Sequence, residues 1–133
     1  MPATEKTYVL VHGAFHGGWC WRDVARGLRK HGHQVFTPTL TGLGERAHLR
    51  HIDPDLDTHI ADVVQTLFCE ELENVVLVGP SYAGAVITGV ADCMVQVLRH
   101  LVFLDALVLP PDRHVLYAAS DAALAYYHAL SKE

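Results

Sequence analysis

The chain has 133 residues, half of them hydrophobic and 19% charged, with a formal net charge of −5 at neutral pH. That length is enough for one domain with its own core, and that balance excludes a disordered chain. The acidic balance and the scattered Lys and Arg residues argue against nucleic acid as a partner, and no apolar run approaches the roughly 18 residues of a bilayer span.

The first six residues, Met1-Pro2-Ala3-Thr4-Glu5-Lys6, are polar and form no signal-peptide core. A cytoplasmic location is the expectation. Cys20, Cys69 and Cys93 are odd in number and far apart. They read as buried free thiols of a reducing compartment, not as a disulfide framework.

Thr7-Tyr8-Val9-Leu10-Val11 is nearly all apolar, the pattern of a strand buried on both faces. A glycine-rich loop follows, His12-Gly13-Ala14-Phe15-His16-Gly17-Gly18. A helix is predicted from Trp19 or Trp21, with Val24, Ala25 and Leu28 on its inner face and Gly32 as its stop. Gln34-Val35-Phe36-Thr37 makes a second short strand, ended by Pro38. Residues 39–55 lack periodicity and read as a loop. Asp57 or Thr58 caps a long amphipathic helix carrying Ile60, Val63, Val64, Leu67, Phe68 and Leu72.

Asn74-Val75-Val76-Leu77-Val78-Gly79-Pro80-Ser81-Tyr82-Ala83-Gly84 comes next. A β-branched run enters a Gly-x-Ser turn, and a helix-compatible segment with Val86, Ile87 and Val90 leaves it. This is the strand, sharp turn and helix of a nucleophile elbow, with Ser81 at the apex. Small residues on either side let backbone approach backbone. A plain βα turn with Ser81 as helix N-cap remains the alternative on this stretch alone. His100-Leu101-Val102-Phe103-Leu104-Asp105 gives a fourth strand, and an Ala-rich helical segment follows Pro110-Pro111. Strands alternating with helices mean an α/β fold with a mostly parallel sheet of about four strands. No linker divides residues 1–133, so one domain is expected.

His12 and His16, His31 and His33, and His48 and His51 pair at ligand-like spacings. None has a convincing carboxylate or cysteine partner set, so no metal is expected. Gly13, Gly17 and Gly18 do not make a dinucleotide fingerprint, and no phosphate-binding lysine follows.

Taken together, Val9-Leu10-Val11-His12-Gly13-Ala14-Phe15-His16-Gly17-Gly18-Trp19-Cys20-Trp21, the Thr37-Pro38-Thr39-Leu40-Thr41-Gly42-Leu43-Gly44-Glu45-Arg46 segment, the elbow and Leu104-Asp105-Ala106 resemble the α/β-hydrolase superfamily. More narrowly, they resemble its branch of small esterases and hydroxynitrile lyases. The resemblance covers nearly all of residues 7–110. It implies the N-terminal half of an α/β-hydrolase fold, truncated, with residues 111–133 beginning a lid. It implies a serine hydrolase acting on a small carboxylic ester through an acyl-enzyme, with no cofactor. Ser81 would be the nucleophile, and the backbone N–H groups of Ala14 and Tyr82 the oxyanion hole. His12, Gly13, His16 and Gly17 would shape the loop beside them. Lyases of the branch resemble one another in having threonine where this chain has Gly13, which favours ester hydrolysis.

The sequence departs from the family pattern at Pro80, usually histidine, at Ala83, the second glycine of the strict motif, and at Val95-Gln96-Val97, usually Pro-Glu-Arg. The family's usual acid and histidine follow later strands. Asp105 stands where a minority of members carry the acid, and His128 follows it in the right order. The competing expectation is a non-catalytic half-fold that binds or oligomerises, because an uncovered sheet edge favours self-association.

Overall fold

The structure, a computed structural model, describes residues 4–108. It contains strands β1 (Thr7–Leu10), β2 (Gln34–Phe36), β3 (Val75–Ser81) and β4 (Leu98–Ala106), with helices α1 (Arg22–Lys30), α2 (Leu56–Cys69) and α3 (Ala83–Met94) between them. The sheet order is β2-β1-β3-β4 and every pair is parallel. This matches the expected α/β-hydrolase architecture. The expected start of a lid at residues 111–133 and the candidate His128 lie outside the described residues.

Alternation along β3 explains the layers. Val75 and Leu77 point to one face and Val76 and Val78 to the other, and all four are buried. The first pair joins Val9, Val63, Leu67, Val86, Ile87 and Val90 in the larger core. The second joins Leu10, Ala25 and Val35 in a smaller one. So α2 and α3 cover one face and α1 the other. The Val86, Ile87 and Val90 stripe is fully buried.

Several local expectations need correction. The first helix is entered by a 3-10 turn at Gly18–Trp21, and Val24, expected on the inner face, is 48% exposed. Gly32 does follow the helix end, with φ +87°. Strand β1 stops at Leu10 and β2 at Phe36, one residue early in each case, while β4 starts at Leu98. Residues 44–52 of the expected loop form two 3-10 turns joined at a kink at Arg46. Helix α2 is capped by Asp55, not Asp57 or Thr58. The Asp55 carboxylate accepts from Thr58 N–H at 2.9 Å, and the Thr58 hydroxyl faces back to the Asp55 N–H, a capping box. Phe68, placed on the inner face by spacing, is 69% exposed, and the buried line of α2 is His59, Val63 and Leu67. Val95–Val97 forms a short 3-10 turn before β4. All three cysteines are free, as expected, but exposed rather than buried.

Candidate active site

The site begins at the C-terminal end of β3. Ser81 has φ +50°, in the left-handed region that L-residues avoid. The chain therefore reverses sharply between the strand and α3, and Ser81 is exposed at the apex. Gly79 permits the reversal, since a Cβ there would lie 2.9 Å from the Ala83 carbonyl oxygen. Pro80 occupies the next-to-last position of β3, where a missing N–H costs least.

Neighbouring β4 adapts to the turn. Pro80 pairs with Leu104 but Ser81 with Ala106, so Asp105 is an extra, bulged residue with φ +48°. The Leu107 N–H then donates to the Ser81 carbonyl at 2.9 Å. Asp105 is exposed, and among the described residues no hydrogen bond joins it to a histidine.

The loop after β1 lies against the elbow. Val11 N–H extends the sheet by donating to the Val78 carbonyl at 2.9 Å. A Cβ on Gly13 would lie 3.5 Å from the Ser81 Cβ, so loop and elbow are in contact range. His12 is fully buried. Its Nδ1–H donates to the Gly13 carbonyl at 2.8 Å, and its Nε2 accepts the Leu40 N–H at 3.0 Å. These partners require a neutral ring, and burial pushes its pKa below 6.5. His16 donates through Nδ1 to the Ala14 carbonyl at 2.8 Å. Gly17 packs against the Gly44 backbone, where a Cβ would meet its Cα at 3.0 Å.

Ser81, Pro80, Gly13, Ala14, His16, Cys20, Trp21 and Val24 line one cavity of about 330 Å³. The nucleophile candidate, one oxyanion candidate and the loop histidine thus share a space, with Tyr82 directly following Ser81. Among the described residues no histidine is hydrogen-bonded to Ser81, and no group of three or more His, Cys, Asp or Glu side chains is arranged to hold a metal ion.

Sequence reasoning missed a second polar cluster behind the elbow. His59 of α2 is 7% exposed and bonds both the Tyr82 hydroxyl (2.8 Å) and the Thr41 carbonyl (2.9 Å). Thr41 gives its N–H and hydroxyl to the two Asp62 carboxylate oxygens at 2.6 and 2.7 Å. Arg46 joins them, 3.5 Å from Asp62. Thr39 accepts from Gly18 N–H at 2.8 Å and donates to Glu45, which holds the Glu45 carboxyl below its ordinary range. The available signal was helical spacing: His59 falls four and eight residues before Val63 and Leu67, in line with the core stripe.

Residues 8–132 match the model of the alpha/beta hydrolase family. The chain is 59% identical over 101 residues to the carbendazim hydrolyzing esterase of Nocardioides sp. (strain SG-4G), covering 76% of this chain and 42% of that protein. It is 35% identical over 109 residues to an alpha-hydroxynitrile lyase of Arabidopsis thaliana, covering 81% of this chain and 42% of the relative. In structure it superposes on an extracellular alpha/beta-hydrolase from a Paenibacillus species with a TM-score of 0.86 at 27% identity, over 96% of this chain and 51% of the other. The chain therefore spans about half, or less, of the length of these relatives. Fold, match and relatives agree: the chain belongs to the alpha/beta hydrolase family, in the branch that holds small esterases and hydroxynitrile lyases.

Proposed function

We propose that this chain carries the nucleophile half of a serine esterase site. The observation that carries the reading is Ser81 held at φ +50° on an elbow, opening onto the cavity it shares with Ala14. In the proposed reaction Ser81 Oγ attacks the carbonyl carbon of a small carboxylic ester. The N–H groups of Ala14 and Tyr82 receive the oxyanion. Collapse expels the alcohol, and water then cleaves the Ser81 acyl ester. Gly13, where the lyases resemble one another in threonine, favours hydrolysis over cyanohydrin cleavage.

A serine hydroxyl needs a base to become a good nucleophile. Among the described residues no hydrogen bond joins Ser81 to a base, and His128, outside them, is the candidate that follows Ser81 and Asp105 in the family's order. Asp105 is the candidate acid, at the bulge beside Ser81.

The test is labelling of the purified chain with a fluorophosphonate, read by mass spectrometry, with Ser81→Ala as control. A single adduct that vanishes in the variant is expected. The likeness to a carbendazim hydrolyzing esterase makes carbendazim the first substrate to assay. Absence of any Ser81-dependent adduct would turn the reading to the competing one, a half-fold that binds or self-associates through the β4 edge.

A further inference from the structure

We infer that His59 is a positioning residue for the elbow: through the Tyr82 side chain it fixes the backbone N–H that follows Ser81. The inference rests on the reading of Ser81 as nucleophile.

Both ring nitrogens of His59 are engaged. A carbonyl oxygen only accepts, so the Thr41 carbonyl, 2.9 Å away, places the proton on Nε2. In the neutral ring Nδ1 is then the acceptor, and the Tyr82 O–H donates to it at 2.8 Å. The two rings also meet edge to face, with centroids 5.7 Å apart and planes at 79°. The far anchor is itself held, because Asp62, three residues on in α2, grips Thr41 through both carboxylate oxygens. Helix α2 therefore clamps the loop after β2 with Asp62 and reaches across to the elbow with His59.

Tyr82 makes this clamp bear on the site. Its backbone N–H is the one next to Ser81, and its side chain points away into the cluster. Burial, with Asp55 and Asp62 nearby, pushes its phenol pKa up, so the hydroxyl remains a donor across ordinary pH. With the O–H taken by His59, the side chain serves as an anchor rather than as an acid. An oxyanion donor works because it is fixed before charge develops. Freeing the ring would let the Ser81–Tyr82 peptide rock, because the φ of +50° at Ser81 is a strained conformation that persists only while its surroundings hold it.

The experiment uses the full chain as wild type, Tyr82→Phe, His59→Phe, the double variant and His59→Gln. Two quantities are read: the rate of fluorophosphonate labelling at Ser81, and amide exchange at Tyr82 by NMR, referenced to amides of β1. Each single variant is expected to slow labelling about tenfold, a fraction of the loss on deleting an oxyanion donor outright, and to speed Tyr82 exchange about tenfold. The double variant should be no worse than either single one, because both remove the same bond. His59→Gln should recover part of both, since its amide offers one donor and one acceptor. Tyr82→Phe retains the ring, so it keeps the test valid should His59→Phe unfold. Wild-type labelling with unchanged exchange in the single variants would overturn the inference, as would effects that multiply in the double one. Failure of the wild type to label at Ser81 would sink the nucleophile reading instead. Exchange at Tyr82 would then decide this inference alone, and unchanged exchange would overturn it.

Discussion

At Gly84 a single added carbon would collide with the Leu107 carbonyl and lie 2.8 Å from the Ala106 Cβ. Leu107 is the residue whose N–H holds the Ser81 carbonyl. Backbone gives way poorly, so Gly84→Ala should cost about 1–3 kcal/mol, the usual range for overpacking. It should also slow Ser81 labelling more than its loss of stability explains. Urea unfolding and labelling rates on one preparation check both. His12 supplies a pH effect at the same scale. Its folded pKa is below 6.5, so under acid the unfolded chain takes up a proton that the folded chain refuses. Stability should fall as pH drops below 6.5 and level off at the folded value. Glu45 acts in a lower window, because its depressed pKa gives stability that is present above 4.5 and lost as pH falls further. Unfolding midpoints at about pH 7.5 and 5.5 isolate the histidine part, and His12→Asn should reduce the difference between them.

Among the elements, β3 carries the most. It pairs on both sides and buries side chains on both faces, with Leu77 at 0% exposure. Leu77→Ala should therefore cost about 2–5 kcal/mol, measured by chemical unfolding. Helix α2 tests the cap: Asp55→Ala removes the acceptor for the Thr58 N–H and should lower the melting temperature, while Asp57→Ala should not. That contrast also shows what the sequence revealed. β3, α3 and the elbow were legible because a double-faced strand leaves a continuous apolar run and a tight turn demands small residues. The cap falls two or three residues before the expected position because Asp55, Asp57 and Thr58 are all competent caps, and only the entry angle of the chain chooses among them. His59 was missed for a different reason. A histidine on an apolar stripe names no partner until the Thr41 loop and Tyr82 arrive from distant parts of the chain.

In the sheet of the described residues, β4 is an edge strand. Among them, β4 pairs only with β3, and it exposes Phe103 (38%), Leu104 (45%) and, in the turn leading to it, Val95 (68%). Parallel sheets are normally covered on both faces and hide their edges, since unpaired N–H and C=O groups template further pairing. The same strand places Asp105 beside Ser81, so whatever pairs with β4 also borders the site. The 133-residue chain should therefore self-associate as its concentration rises, seen as a growing mean mass in light scattering. Leu104→Lys puts a charge on that edge, a device natural edge strands use against pairing. It should return the chain toward a monomer without loss of the α2 and α3 core, to which β4 adds Leu98 and Leu101 but not Leu104. A wild-type chain that stays monomeric at every concentration would mean that β4 is already covered.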